Sequence, residues 1–84
     1  MQFNEHDEGD YRIYAGALES SLGDGYIAAV VVSRVRGIDR IPREAYRDEA
    51  LACGHRWERP DQAISYAIGK GREAVRSERE RLAA

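Results

Sequence analysis

Residues 26–36 form a nearly continuous apolar run, and this run constrains the fold more than any other feature of the chain. Its members are mostly β-branched, which favours a strand. A strand that is apolar at both odd and even positions is typical of a central strand covered on both faces. The chain must therefore supply cover for two sides of one strand. The residues that carry the run are Ile27, Val30, Val31, Val32 and Val35.

The length of the chain limits which elements can pack against the two faces of this strand. With 84 residues, it can form one small domain that buries roughly 63% of the surface its unfolded chain exposes. Hydrophobic residues make up 43% of the sequence and charged residues 33%, which excludes a disordered chain. At this length the burial of apolar surface only just offsets the entropy lost on folding, so a partner surface would stabilise the fold.

One further strand is predicted on each side of the apolar run in the sequence. Residues 11–18 alternate in the manner of a strand, with apolar residues on both faces. Asp24 and Gly25 suit the turn of a hairpin that joins them to residues 26–36. Residues 43–51 are interpreted as a half-exposed edge strand, although their Ala, Glu and Arg content also tolerates a helix.

Helical periodicity begins at Pro60, a residue that fits the first position of a helix, and Asp61 adds a negative charge to its first turn. The helix is predicted over about residues 60–80, with a frayed end. Residues 1–10 are acidic and lack apolar periodicity, so they are predicted to form a flexible arm. The expected fold class is therefore α+β with two layers, a three-stranded antiparallel sheet followed by one long C-terminal helix, in a single domain of residues 11–84.

One helix covers only one face of such a sheet. If the hairpin loop has an even number of residues, the two strands place a bulkier and a smaller set of side chains on opposite faces; an odd number would change these assignments. The bulkier set, which is the better candidate for the helix contact, consists of Tyr14, Leu18, Ile27, Val31 and Val35. The other face is then open, and an exposed apolar patch usually marks an interaction site. The expected interface residues, for a homodimer or another protein partner, are Ile13, Ala15, Ala17, Ala28, Val30 and Val32.

Two alternatives concern the same predicted open face. The acidic arm or the helix tail could fold across it in place of a partner. It could also bind nucleic acid, because aromatic residues beside arginines on a sheet can stack exposed bases, although a net charge of −2 argues against that partner. The candidate nucleic-acid contacts are Tyr11, Tyr26, Arg34 and Arg36.

No group of residues predicts catalysis. Cys53 and His55 would have to act as a thiol and its base, but no third residue is identifiable that would orient the imidazole. A buried cysteine beside a surface histidine is the simpler interpretation. Residues 6–10 lack the paired spacing of metal ligands, and the glycines do not follow a phosphate-loop pattern. We expect no catalytic residue, metal or cofactor; an enzyme built around Cys53 is the alternative.

The sequence also predicts a compartment. Cys53 is the only cysteine, so no internal disulfide can form, which favours a reducing environment. The longest apolar run is far shorter than the ~20 residues that span a bilayer. The first ten residues are acidic, unlike a signal peptide. We therefore expect a cytoplasmic protein without a membrane partner.

The predicted order of elements resembles two groups of known proteins. Three strands, then Trp57 and a Pro-Asp-Gln-Ala start to a long helix, are similar to small uncharacterised bacterial proteins with a βββα core, like a double-stranded-RNA-binding domain without its first helix. The same order resembles the RNase-H-like core of HicB-type antitoxins. Residues 59–62 depart from both, since they lack the lysine cluster of the first group, and Arg59 replaces the capping Ser or Thr of the second. The resemblance implies a fold and a bacterial origin, and it carries over no functional residue.

Overall fold

In the computed structural model, which describes residues 2–35 and 43–83, four antiparallel strands form one sheet in sequential order and a long helix follows them. A short helical turn, α1, comes between the sheet and the long helix, α2. The fold is α+β, as predicted. The elements are β1 (Gln2–Glu8), β2 (Tyr11–Glu19), β3 (Tyr26–Arg34), β4 (Arg43–Asp48), α1 (Leu51–Gly54) and α2 (Pro60–Ala83).

The sheet has four strands where the sequence predicted three. The additional strand, β1, lies within residues 1–10, so the prediction of a flexible arm is wrong for residues 2–8. All seven residues of β1 pair with β2, and Gly9, with a φ of 62°, allows the tight turn between the two strands. Most β1 side chains are exposed, so backbone pairing rather than burial holds the strand.

The remaining elements agree with the predicted order. The pairing of β2 with β3 matches Leu18 with Ile27, which confirms the assumption of an even hairpin loop. Of the strand predicted over residues 43–51, residues 43–48 form an edge strand, and Leu51 begins the unpredicted turn α1. A β-bulge interrupts the pairing of β4 with β3, because Tyr46 lies opposite Val32 while Glu44 lies opposite the next residue along β3.

The helix covers the opposite face from the one predicted. It packs on the side of the sheet that carries the smaller residues, so the prediction that the bulkier set contacts the helix is wrong. The reason is close approach: a Cβ atom added to Gly71 would lie 2.5 Å from Cγ2 of Ile13. At the point of contact, a helix so near the sheet has room only for small or β-branched side chains. The six residues expected to form an open interface, all between 0% and 1% exposed, are Ile13, Ala15, Ala17, Ala28, Val30 and Val32.

The helix contributes a matching stripe of small residues. Ala63, Ala67, Gly71 and Val75 recur at every fourth position and are all buried. Leu51 of α1 completes the same core. Among the described residues, neither helix has the length and apolar character needed to cross a membrane.

The contact between α2 and β2 predicts opposite effects for two nearby glycines. Gly71→Ala should destabilise the protein by about 1–2 kcal/mol, because the overpacking at Ile13 exceeds the gain in helix propensity. Gly69→Ala should stabilise it by about 0.5–1 kcal/mol, since nothing lies within 4 Å of the added Cβ. Urea denaturation of the two variants measures both effects, and a Gly71→Ala protein as stable as the wild type would contradict the close approach.

The β2–β3 hairpin is held to the segment before α2. Tyr26 and Trp57 exchange two backbone hydrogen bonds of 2.8 and 2.9 Å, and Nε of Arg56 donates to Oδ1 of Asp24 at 3.0 Å. The hydrogen bond with Ser20, more than the contact with Arg56, holds the pKa of the Asp24 carboxyl below its usual range. Asp24 in its charged form therefore stabilises the hairpin.

This lowered pKa predicts a pH-dependent effect of Asp24→Asn. A carboxyl whose pKa is lower in the folded state contributes stability above its unfolded pKa of about 3.9 and loses it as the pH falls through the folded value. The variant should therefore be less stable than the wild type near neutral pH, and the difference should shrink under acid conditions. Denaturation curves at about pH 7 and about pH 3 provide the measurement; a difference that is equal at both values would exclude the proposed role.

Candidate interaction surface

The face of the sheet opposite α2 remains uncovered in the part of the chain that the structure describes. Both helices contribute to the core on one side only. Because side chains alternate along each strand, the residues between the core positions point to the other side. We call this second side the open face; its small and apolar members are Phe3, Tyr14, Gly16, Leu18, Ile27, Ala29 and Val31.

A shallow depression of about 300 Å³ lies in the middle of the open face. Its floor includes Gly16 and Ala29, which have little or no side chain. The ring of Phe3 leans over Gly16, since a Cβ atom added there would lie 3.2 Å from Cε1 of the ring. Phe3 is itself 68% exposed. The open face therefore has both a protruding aromatic side chain and a depression beside it.

Charged residues also lie on the open face, outside its apolar centre. On β4, Arg47 binds Glu44 at 2.7 Å and Glu49 at 2.6 Å, and these hydrogen bonds, first the one to Glu44, raise the pKa of the guanidinium. On the same face, Nε of Arg12 on β2 donates to Oδ1 of Asp7 on β1 at 2.9 Å, which raises the pKa of Arg12. Both arginines are therefore already matched with carboxylates.

The polarity of the open face changes along the strands. Near the β2–β3 loop, Leu18 lies opposite Ile27. In the middle, one row crosses all four strands as Glu5, Tyr14, Val31 and Arg47. At the far end, the row is entirely polar and consists of Asp7, Arg12, Ser33 and Glu44.

The residues proposed for nucleic-acid contact do not form an exposed platform. Tyr11 is 3% exposed and lies on the helix side of the sheet, where the guanidinium carbon of Arg79 is 5.9 Å from its ring centroid. Tyr26 is half-buried and paired with Trp57. Arg34 pairs with Tyr11 in register, and its Nε is buried without a hydrogen-bond partner among the described residues. Arg36 lies outside the described residues.

Cys53 is exposed, so the interpretation of a buried cysteine is wrong. Its backbone has a φ of 56°, a left-handed conformation that turns the chain out of the core. The ring of His55 packs edge-on against Trp57, with centroids 4.5 Å apart. In the described part of the chain, the thiol and the imidazole make no hydrogen bond with each other.

A polar cluster attaches β1 to the helix. Nη2 of Arg72 lies 3.0 Å from Nε2 of His6, and Nε of Arg72 lies 3.6 Å from a carboxylate oxygen of Glu8. Arg79 donates to the backbone carbonyl of Glu8 at 3.3 Å. No set of three or more potential metal-ligating side chains is grouped for a metal within residues 2–35 and 43–83. The cluster therefore has a clear structural role, which is to hold the edge strand that carries Phe3.

Comparisons with protein-family models, curated proteins and solved structures found no match to this chain. The resemblances to RNA-binding-like and HicB-like proteins stay predictions. The fold is a small two-layer α+β domain in which the described residues leave one sheet face uncovered. That face is the candidate functional site.

Proposed function

We propose that this chain is a non-catalytic interaction module of the cytoplasm that self-associates through its open face. The observation that carries the proposal is the exposure of Phe3 beside an apolar depression, on a sheet whose other side already holds a complete core. Contiguous exposed apolar surface of this kind is uncommon on monomers and usually marks a contact site.

The size of the sheet suits a partner of similar dimensions. With strands of seven, nine, nine and six residues, spacings of ~4.8 Å across and ~3.4 Å along the strands give a projected face of roughly 500 Å². The corrugated accessible surface of such a face is larger, and specific interfaces bury about 800 Å² on each partner. The open face with its polar border therefore approaches the size of one specific interface.

The charges on the border favour a protein over a nucleic acid. By register, the described residues of the open face include two arginines, Arg12 and Arg47, and both are bound to carboxylates. Binding to a phosphate backbone depends on unmatched cations. Binding of a second copy of the chain does not depend on unmatched cations, because apolar residues dominate the centre of the face.

Two exposed hydrophobic residues provide a matched test of the proposal. Phe3 lies on the open face, whereas Leu22 is 78% exposed in the β2–β3 loop. Burial of a Phe side chain contributes about 1.5–3 kcal/mol, so Phe3→Ser should weaken self-association at least about tenfold. Leu22→Ser should leave it nearly unchanged. Sedimentation equilibrium across micromolar concentrations measures both, and a wild-type protein that stays monomeric throughout would refute the proposal.

Two neighbouring valines test which side of β3 is open. Val30 is 1% exposed beneath α2, so Val30→Asp should unfold the protein because it buries an unpaired charge. Val31 lies on the open face, so Val31→Asp should keep the circular dichroism spectrum of the folded chain and abolish self-association. The reverse result would show that the helix covers the other face.

A further inference from the structure

We infer that the second copy binds with its two-fold axis parallel to the strands, so that β1 of each copy lies over β4 of the other. The inference rests on the proposed self-association, and it specifies how the two open faces meet. Three features of the open face support it. They are a polarity gradient along the strands, the protruding Phe3 ring beside the apolar depression, and the order of charges across the sheet.

The polarity gradient distinguishes the two ways in which identical faces can be stacked. A closed two-fold contact uses the same patch on both copies. An axis parallel to the strands keeps each row at the same position along the strand direction. Leu18 therefore meets Ile27 of the other copy, and polar rows meet polar rows. An axis across the strands inverts the rows, and it places Leu18 and Ile27 over Arg12 and its neighbours. Burying charged groups against apolar side chains is unfavourable, so the first arrangement is preferred.

The shape of the open face fits the same axis. Phe3, Gly16 and Ala29 occupy one row on β1, β2 and β3. Because the ring of Phe3 leans inward from the edge of the sheet, an axis parallel to the strands brings it above Ala29 of the other copy. Each Phe3 ring then enters the depression of the opposite face. The two copies bury each other's most exposed aromatic side chain.

The central row shows which charged residues come together. It runs Glu5, Tyr14, Val31 and Arg47 from one edge of the sheet to the other. Reversing the strand order places Glu5 over Arg47 of the other copy and Tyr14 over Val31. Glu5 has no ion pair or hydrogen bond within the described residues, while Arg47 has further N–H groups to donate. An exposed pair of this kind adds little affinity, but its position identifies the orientation.

Chemical cross-linking between these two positions tests the orientation. In a Cys53→Ser background, we combine Glu5→Cys with Arg47→Cys and treat the protein with a short bismaleimide. The two cysteines of one copy are three strand spacings apart, ~14 Å, whereas packed sheets are separated by only ~10 Å. A linker that spans about 10 Å should therefore join two copies and give predominantly covalent dimers.

The two single-cysteine variants are the matched controls. With the proposed axis, position 5 of one copy is far from position 5 of the other, and the same holds for position 47, so neither variant should cross-link appreciably. With an axis across the strands, like edges stack on each other, and the single variants should cross-link instead. That result, or an absence of any cross-link in a protein that sediments as a dimer, would overturn the inference and leave the proposed self-association standing. A protein that does not self-associate at all would refute both.

Discussion

The close contact between Gly71 of the helix and Ile13 of the sheet determines most of the structure. It brings the α2 backbone so near to β2 that the intervening layer consists of small and β-branched residues. At this contact there is no room for larger side chains, and Tyr14, Leu18 and Val31 lie on the other side of the sheet. The apolar character of the open face is therefore a consequence of how the core is packed.

The fold class could be read from the sequence because its two strongest signals are local. The β-branched run that became β3 and the helical period that starts at Pro60 each specify their own element. The division of the β2 and β3 side chains between two faces also followed from an even hairpin loop, which comprises residues 20–25. β1 was missed because its acidic residues lack apolar alternation, although the Gly9-Asp10 dipeptide that joins it to β2 is a known signal for a two-residue hairpin.

The choice of face failed for a different physical reason. The sequence was interpreted by side-chain bulk, on the expectation that the helix contacts the larger residues. The distance between helix and sheet decides instead, and the glycine and alanines of α2 show that this distance is short. Gly71 is a position of close approach between the helix and the sheet. Its consequence for the sheet is that the smaller set, from Ile13 to Val32, must be the one beneath the helix.

The β-bulge in β4 bears on how far an assembly of this chain can grow. A regular strand at the border of a sheet exposes unpaired backbone groups that can template the addition of further strands and lead to fibres. The bulge opposite Val32 breaks that regularity, and Arg43, Glu44, Arg47 and Asp48 place charges along the same strand. Growth by lateral strand addition is disfavoured on that side. The proposed association through the open face would, by contrast, bury the surface that drives it, so it would end once two copies have met.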